Sequence, residues 1–410
     1  MSLIRFSLLA SILVGLASCT SVPPKTIGPE TPGGEAATTP EPGVIPSIPP
    51  GATTFPPTTI PRAPINALLR PASFASLPGW SADDQRQALP ALMASCAVLS
   101  RREEWRAPCI HAAALGKADL ETVRDFFEKD FKPYRVTNPD GSTQGLVTGY
   151  YEPLLHGSRK RGGPYQTPLH KAPNDLLTID LASAYPEFKG MRLRGKVVGN
   201  KVVPYPSREE LMRSNALSGD EILWVDDPID AFFLQVQGSG RVQLAGSNEV
   251  VRIAYADQNG LPYKSIGRYL IDKGELTLSQ ASAQGIKKWL AAHPAREQEL
   301  LNANPRYIFF KEEKLVDPNE GPKGALGVPL TPMRSIAVDR DYIPLGAPVF
   351  LSTTEPNSSV PLRRLVMAQD TGSAIKNAVR ADYFWGFGDA AGEEAGKMKQ
   401  RGQMWVLLPK

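Results

Sequence analysis

Gln369-Asp370-Thr371-Gly372-Ser373-Ala374-Ile375-Lys376, followed by Arg380-Ala381-Asp382-Tyr383-Phe384-Trp385-Gly386, is the stretch on which the reading of the chain turns. Two aspartates sit among residues that favour turns and strand ends, and aromatic side chains follow the second directly. This combination suits chemistry on sugars. A carboxyl group donates a proton to a glycosidic oxygen, flat rings stack on sugar faces, and glycine lets the backbone approach a polymer closely. The signatures of other chemistries are missing: the sequence holds no GxSxG elbow, P-loop or HExxH. The four histidines, His111, His156, His170 and His293, are scattered, and none lies near a cysteine pair at zinc spacing. The reading therefore calls for no metal and no cofactor.

Outward from this stretch, short strands separated by Pro and Gly turns are expected at 307–310, 335–338, 348–351, 364–369 and 404–408, with a helix at 390–401. Asp339 ends the second of these strands, so three carboxylates, Asp339, Asp370 and Asp382, fall at strand ends in one small domain. One of them can be purely structural, bonding backbone amides in a turn. Further upstream, helices are expected at 83–99, 119–131, 264–273 and 279–292, and strands at 145–151, 231–237, 241–244 and 250–255. The whole is a mainly β, α+β chain with a small barrel.

Two motifs lie in that upstream region. In Gly149-Tyr150-Tyr151-Glu152-Pro153 the tyrosines either line a groove or pack inside, and Glu152 is expected in solvent at a strand end. Phe232-Phe233-Leu234-Gln235-Val236-Gln237-Gly238-Ser239-Gly240-Arg241-Val242 alternates apolar and polar residues into a Gly-Ser-Gly turn. It reads as a hairpin with Gln235 and Gln237 on its solvent face, a place to present Gln237, Ser239 and the Gly238 backbone to sugar hydroxyl and acetamido groups.

The N-terminus carries a second kind of signal. Arg5 precedes an apolar run at 6–16 and then Ala17-Ser18-Cys19, a short export core with small residues before a cysteine. The run is too short to span a bilayer, which takes about 20 apolar residues. Leu16-Ala17-Ser18-Cys19 resembles a bacterial lipobox, which implies cleavage before Cys19 and lipid on its thiol. Thr20, where inner-membrane lipoproteins carry Asp, points to the periplasmic face of the outer membrane. Residues 20–64 contain 13 prolines in 45 positions and read as an extended tether that builds no core. Cys96 and Cys109 are either one disulfide of an exported protein or, for Cys96, a small apolar residue in a helix. Hydrophobic residues make up 42% of the sequence and charged ones 21%, as in an ordinary globular protein. The net charge of +4, with no basic run carrying interleaved aromatics, gives no reason to expect nucleic acid.

The GYYEP run, FFLQVQGSGRV, NPRYIFF, LGVPLTPMRSIAVDRDYIPLG and QDTGSAIKNAVRADYFWGFGDAAGEEAG, taken together and in order, resemble the membrane-bound lytic murein transglycosylase A family. The match runs from about residue 145 to the C-terminus, and its last part resembles the three-aspartate 3D domain. This resemblance implies a double-psi β-barrel interrupted by a second β-domain, with a substrate groove between them. The barrel would be built from residues 78–155 and 305–410 and the insert from 156–304, after a signal peptide at 1–18 and a lipidated tether at 19–77. It implies cleavage of the β-1,4 bond between N-acetylmuramic acid and N-acetylglucosamine in peptidoglycan glycan strands, leaving a 1,6-anhydro ring. Carried over residue by residue, the resemblance makes Asp382 the catalytic acid, supported by Asp370 and Asp339. Tyr150, Gln237, Gly238, Ser239, Lys376 and Tyr383 would contact substrate. Two rival readings remain: a hydrolase using Asp370 and Asp382 as a pair, and a wall-binding lipoprotein without catalysis.

Overall fold

The computed structural model describes residues 68–188, 191 and 193–410. The expected signal peptide, Cys19 and the expected proline-rich tether lie outside the described residues. Among the described helices, none is long and apolar enough to cross a membrane.

Six strands form a closed ring: β1 (Gly145–Glu152), β2 (Ser335–Val338), β3 (Pro348–Thr354), β4 (Pro361–Asp370), β5 (Arg380–Phe387) and β6 (Lys399–Pro409). Around the ring, β1 pairs in parallel with β5, β5 antiparallel with β2, and β2 in parallel with β4. Then β4 pairs antiparallel with β3, β3 with β6, and β6 with β1, so the ring has no free edge. Strands Phe131–Val136 and Leu69–Pro71 extend it outward from β6. The folded body therefore begins by Leu68, which is buried, as is Leu77. This is earlier than the expected end of the tether at 77.

Alternation along each strand separates two faces. In β5, Ala381 and Tyr383 enter the main core with Val147, Ile336, Phe350 and Trp405. Phe384 instead joins Tyr150, Leu330, Ala337 and Ile375 in a smaller cluster on the other side of the wall. Three helices, Leu89–Leu99, Glu103–Leu115 and Leu120–Asp130, cover the main core. The last begins where Asp119 accepts the Thr122 amide at 2.8 Å, and buries Val123, Phe126 and Phe127 at helical spacing. Cys96 and Cys109 form a disulfide between the first two, closing the choice that the sequence left open.

A second six-stranded sheet runs Ile308–Glu313, Val250–Gln258, Ser239–Leu244, Leu154–Ser158, Glu221–Val225, Thr167–His170. Its end strands meet through a bridge between Lys171 and Phe310, which rolls the sheet round its own core of Leu155, Leu223, Val225, Val242 and Ile253. Ile308–Glu313 and the first two residues of Leu154–Ser158 thus belong to this sheet, inside the stretches that the sequence reading gave to the barrel.

The expected strand at 231–237 is a helix, Pro228–Gln237. Asp227 accepts the amides of Ile229 and Asp230, Pro228 occupies the first turn, and Gly238 ends the helix in the left-handed region at φ 83°. These caps outweigh the short apolar/polar alternation that suggested a strand. Gly238-Ser239-Gly240 is accordingly a helix exit into a strand, not a hairpin turn. The expected helix at 390–401 is also shorter, Gly388–Lys397, and β6 starts at Lys399.

Candidate active site

Ala337 on β2 sits in register with both Asp370 on β4 and Asp382 on β5. The two aspartates therefore flank one strand, with backbones about 10 Å apart at the usual strand spacing. On the other side of β5, Asp382 is in register with Thr148. Thr148 donates its hydroxyl to Asp382 Oδ1 at 2.5 Å and accepts Arg380 Nη2 at 2.8 Å. Among the described residues Thr148 is the one hydrogen-bond donor to Asp382, which leaves Oδ2 for a substrate. Burial pushes the Asp382 carboxyl above its usual pKa, against the opposing pull of the Arg380 charge and the Thr148 hydroxyl. The floor of this site is the small apolar cluster, where the Tyr150 and Phe384 rings lie 5.2 Å apart.

Asp370 is engaged on both oxygens. Oδ1 accepts the amides of Thr371 at 2.8 Å and Ala325 at 2.9 Å, and Oδ2 accepts the Tyr150 hydroxyl at 3.2 Å. Its pKa is also raised, by burial first and by the Asp382 charge in addition. Gly324 allows the Ala325 loop to come this close: a Cβ at 324 would stand 2.6 Å from the Gln369 carbonyl oxygen. Asp339 is further away in role. It is 3% exposed, accepts the amides of Asp341 and Asn377, and pins Asn377 in a left-handed conformation at φ 101°. It holds the loop after β4 from below.

Glu152, expected in solvent, is fully buried instead. It accepts Arg252 Nε on Oε1 and Arg241 Nε on Oε2, each at 2.8 Å, and the Ser239 hydroxyl at 3.2 Å. The same arginines donate to the carbonyls of Pro318 and Glu320. One carboxylate at the end of β1 thus joins the barrel, two strands of the second sheet and the segment that leads to the Ala325 loop. Gly149-Tyr150-Tyr151-Glu152-Pro153 looked like a strand end because Pro153 stops the ladder; its partners, about 90 to 100 residues away, left no local sign.

The remaining expected residues divide. Tyr150 lies in the floor beside Asp370. Gln237, Gly238 and Ser239 lie at the junction, where Gln237 Oε1 accepts the Tyr151 amide at 3.1 Å. Lys376 is exposed, with Nζ 3.9 Å from Asp339 Oδ1. Tyr383 is not brought to the site. It points from β5 into the main core, where its hydroxyl donates to the Met333 carbonyl and accepts from Arg364. Thr148 and Arg380 were missed as a pair. Thr148 stands two residues before Tyr150, on the same face of one strand, and that spacing was the available signal.

The loop after β4 also reaches the segment that leads into the second sheet, since Arg306 Nη1 donates to Ser373 Oγ at 2.5 Å. Residues 146–311 match the MltA specific insert domain and residues 334–408 match the 3D domain. The membrane-bound lytic murein transglycosylase A of Escherichia coli (strain K12) is 34% identical over 297 residues, 70% of this chain and 72% of the relative. A lytic transglycosylase of Burkholderia pseudomallei, LtgG, is 51% identical, with a TM-score of 0.58 over 84% of this chain and 96% of that one. MltA from Escherichia coli, solved with bound chitohexaose, is 26% identical, with a TM-score of 0.61 over 80% and 90%.

Proposed function

We propose that this chain, which belongs to the membrane-bound lytic murein transglycosylase A family, cleaves the glycan strand of peptidoglycan with a single carboxyl group, that of Asp382. The family is one of peptidoglycan-cleaving lyases, and a glycan oligomer occupies the related structure from Escherichia coli. The bond cut is the β-1,4 link between N-acetylmuramic acid and N-acetylglucosamine. Asp382 gives its proton to the glycosidic oxygen as that bond breaks. The muramyl C6 hydroxyl then attacks C1, and the Asp382 carboxylate takes up the hydroxyl proton. The products are a free 4-hydroxyl on one side and a 1,6-anhydro ring on the other, with no water consumed and the carboxyl regenerated.

The observation that carries this reading is the difference between the two aspartates. Asp382 has one donor and a raised pKa, so it holds a proton at higher pH than an ordinary aspartate and keeps an oxygen for the substrate. Asp370 has three donors on two oxygens and works as a brace for Tyr150 and the Ala325 loop. A hydrolase would need it as the second, water-activating group. Gln237, Gly238, Ser239 and Lys376 supply polar contacts along the glycan. Cys19 carries lipid, and the proline-rich segment tethers the body to the outer membrane; the relative from Escherichia coli is itself named as membrane-bound.

Mass spectrometry of digested sacculi tests the chemistry. Muramyl ends are expected one water lighter than hydrolytic ends, and reducing muramyl ends would favour the two-carboxylate hydrolase. Asp382→Asn is expected to lower the rate by about 10²–10⁴-fold while glycan binding persists. Near-normal turnover by that variant would remove Asp382 from the reaction.

A further inference from the structure

Arg208 opens the short helix Arg208–Arg213 in the inserted half of the chain and is only 5% exposed. Its Nε donates to the Asn304 carbonyl at 3.1 Å, and its Nη2 to Gln235 Oε1 at 2.7 Å and to the Arg306 carbonyl at 2.8 Å. The Phe232 and Tyr307 rings lie 4.8 and 5.1 Å from the guanidinium carbon. None of these neighbours carries a full negative charge. Among the described residues no Asp or Glu forms an ion pair with Arg208, and Nη1 has no partner. A buried cation without a counter-charge is costly, because desolvation is not returned as Coulomb attraction. Burial accordingly pulls its pKa down to about 10.

Arg208 lines a cavity of about 70 Å³, together with Thr167, Phe232, Gln235, Asn302 and Tyr307. Asn302 Oδ1 is buried with no hydrogen-bond partner. The two ends of an amide group are interchangeable in placement, so Asn302 can present an N–H in place of that oxygen. A cavity of this size takes a few waters and admits a flat carboxylate head group. Guanidinium and carboxylate are matched in plane and charge.

We propose that this cavity is a carboxylate-binding site, in which Arg208 and Asn302 hold a carboxylate group, either free or at the end of a peptide. The site is separate from Asp382 and does not depend on the reaction assigned there.

The test is thermal unfolding of the full chain in detergent. It is titrated with sodium acetate or with the dipeptide acetyl-alanyl-alanine, sodium chloride holding ionic strength constant and acetamide serving as the uncharged control. Acetate is expected to raise the midpoint saturably, and acetamide to leave it unchanged. A matching rise with the dipeptide assigns the site to peptide ends, whereas a rise with acetate alone assigns it to small free carboxylates. Asn302→Asp places a carboxylate in the cavity permanently. That variant is expected to start from a higher midpoint and to lose the acetate response. Asn302→Ala, which removes one donor to a charged ligand, is expected to weaken the response about tenfold. Absence of a saturable rise in the parent protein overturns the proposal, as does an undiminished acetate response in the Asn302→Asp variant.

Discussion

The raised pKa of Asp382 has a thermodynamic sign beside the catalytic use proposed for it. Its reference value is 3.8 and the folded value lies above that. Between the two, the native state binds more protons than the unfolded chain, so stability falls as pH rises through that window and stays lower beyond it. An asparagine at 382 cannot ionise and escapes the penalty. Asp382→Asn is therefore expected to melt at a higher temperature than the parent at neutral pH, with the gap closing below pH 3.8. A lower melting temperature at neutral pH would mean that the fold already satisfies the charged form. Thr148 acts on the same proton from the opposite side, since its hydroxyl bond favours the carboxylate. Thr148→Val should raise the Asp382 pKa further and move the alkaline limb of the pH–rate profile to higher pH. An unmoved or lowered limb would show that Thr148 does not set the proton affinity.

At the scale of elements, the end of β1 controls more than the barrel. Glu152 serves two buried arginines, and its loss leaves both without a carboxylate. Breaking a buried ion pair by removing one partner typically costs about 3–5 kcal/mol. Glu152→Gln is expected to lose about that much, read from the urea midpoint, and a loss below about 1 kcal/mol would show that the carbonyls of Pro318 and Glu320 already satisfy the arginines. This residue also marks where sequence reading stopped. The strand at 335–338 and the helix capped by Asp119 were legible because their signals are local: four residues of strand character, or a cap followed by apolar residues at helical spacing. The surroundings of Glu152 come from residues about 90 to 100 positions away, and nothing near Pro153 announces them. The helix Pro228–Gln237 was legible in principle, since Asp227, Pro228 and Gly238 are all cap residues, but the Phe-Leu-Gln-Val-Gln alternation was given more weight. Asp370 and Asp382 could be singled out as candidates because each ends or lines a strand beside recognisable motifs. The inward turn of Tyr383 follows from the parity of β5, which places it opposite to Asp382.

For the whole molecule, the chain joins a compact body to a segment with 13 prolines in 45 residues. If Cys19 carries the anchor, Cys19→Ala should move the protein from outer-membrane fractions to the soluble fraction while murein cleavage in solution continues. Retention of the variant with the membranes would place the anchor elsewhere.

The parallel pairing of β1 with β5 has a kinetic consequence. Thr148 and Asp382 are hydrogen-bonded across 234 positions of sequence, and joining the ends of so long a loop is entropically slow. The rolled second sheet shortens that search. Its strands Leu154–Ser158 and Ile308–Glu313 lie in one sheet with its own apolar centre, so its folding brings residue 154 and residue 313 to the same side of the body before the ring closes. Pulse-labelled refolding is expected to show amide protection in those two strands ahead of β1 and β5. Simultaneous protection in all four would mean that ring and insert form in one step. On the expected order, the surroundings of Asp382 are the last part of the molecule to exist, so a chain that has not finished folding would lack the acid proposed here.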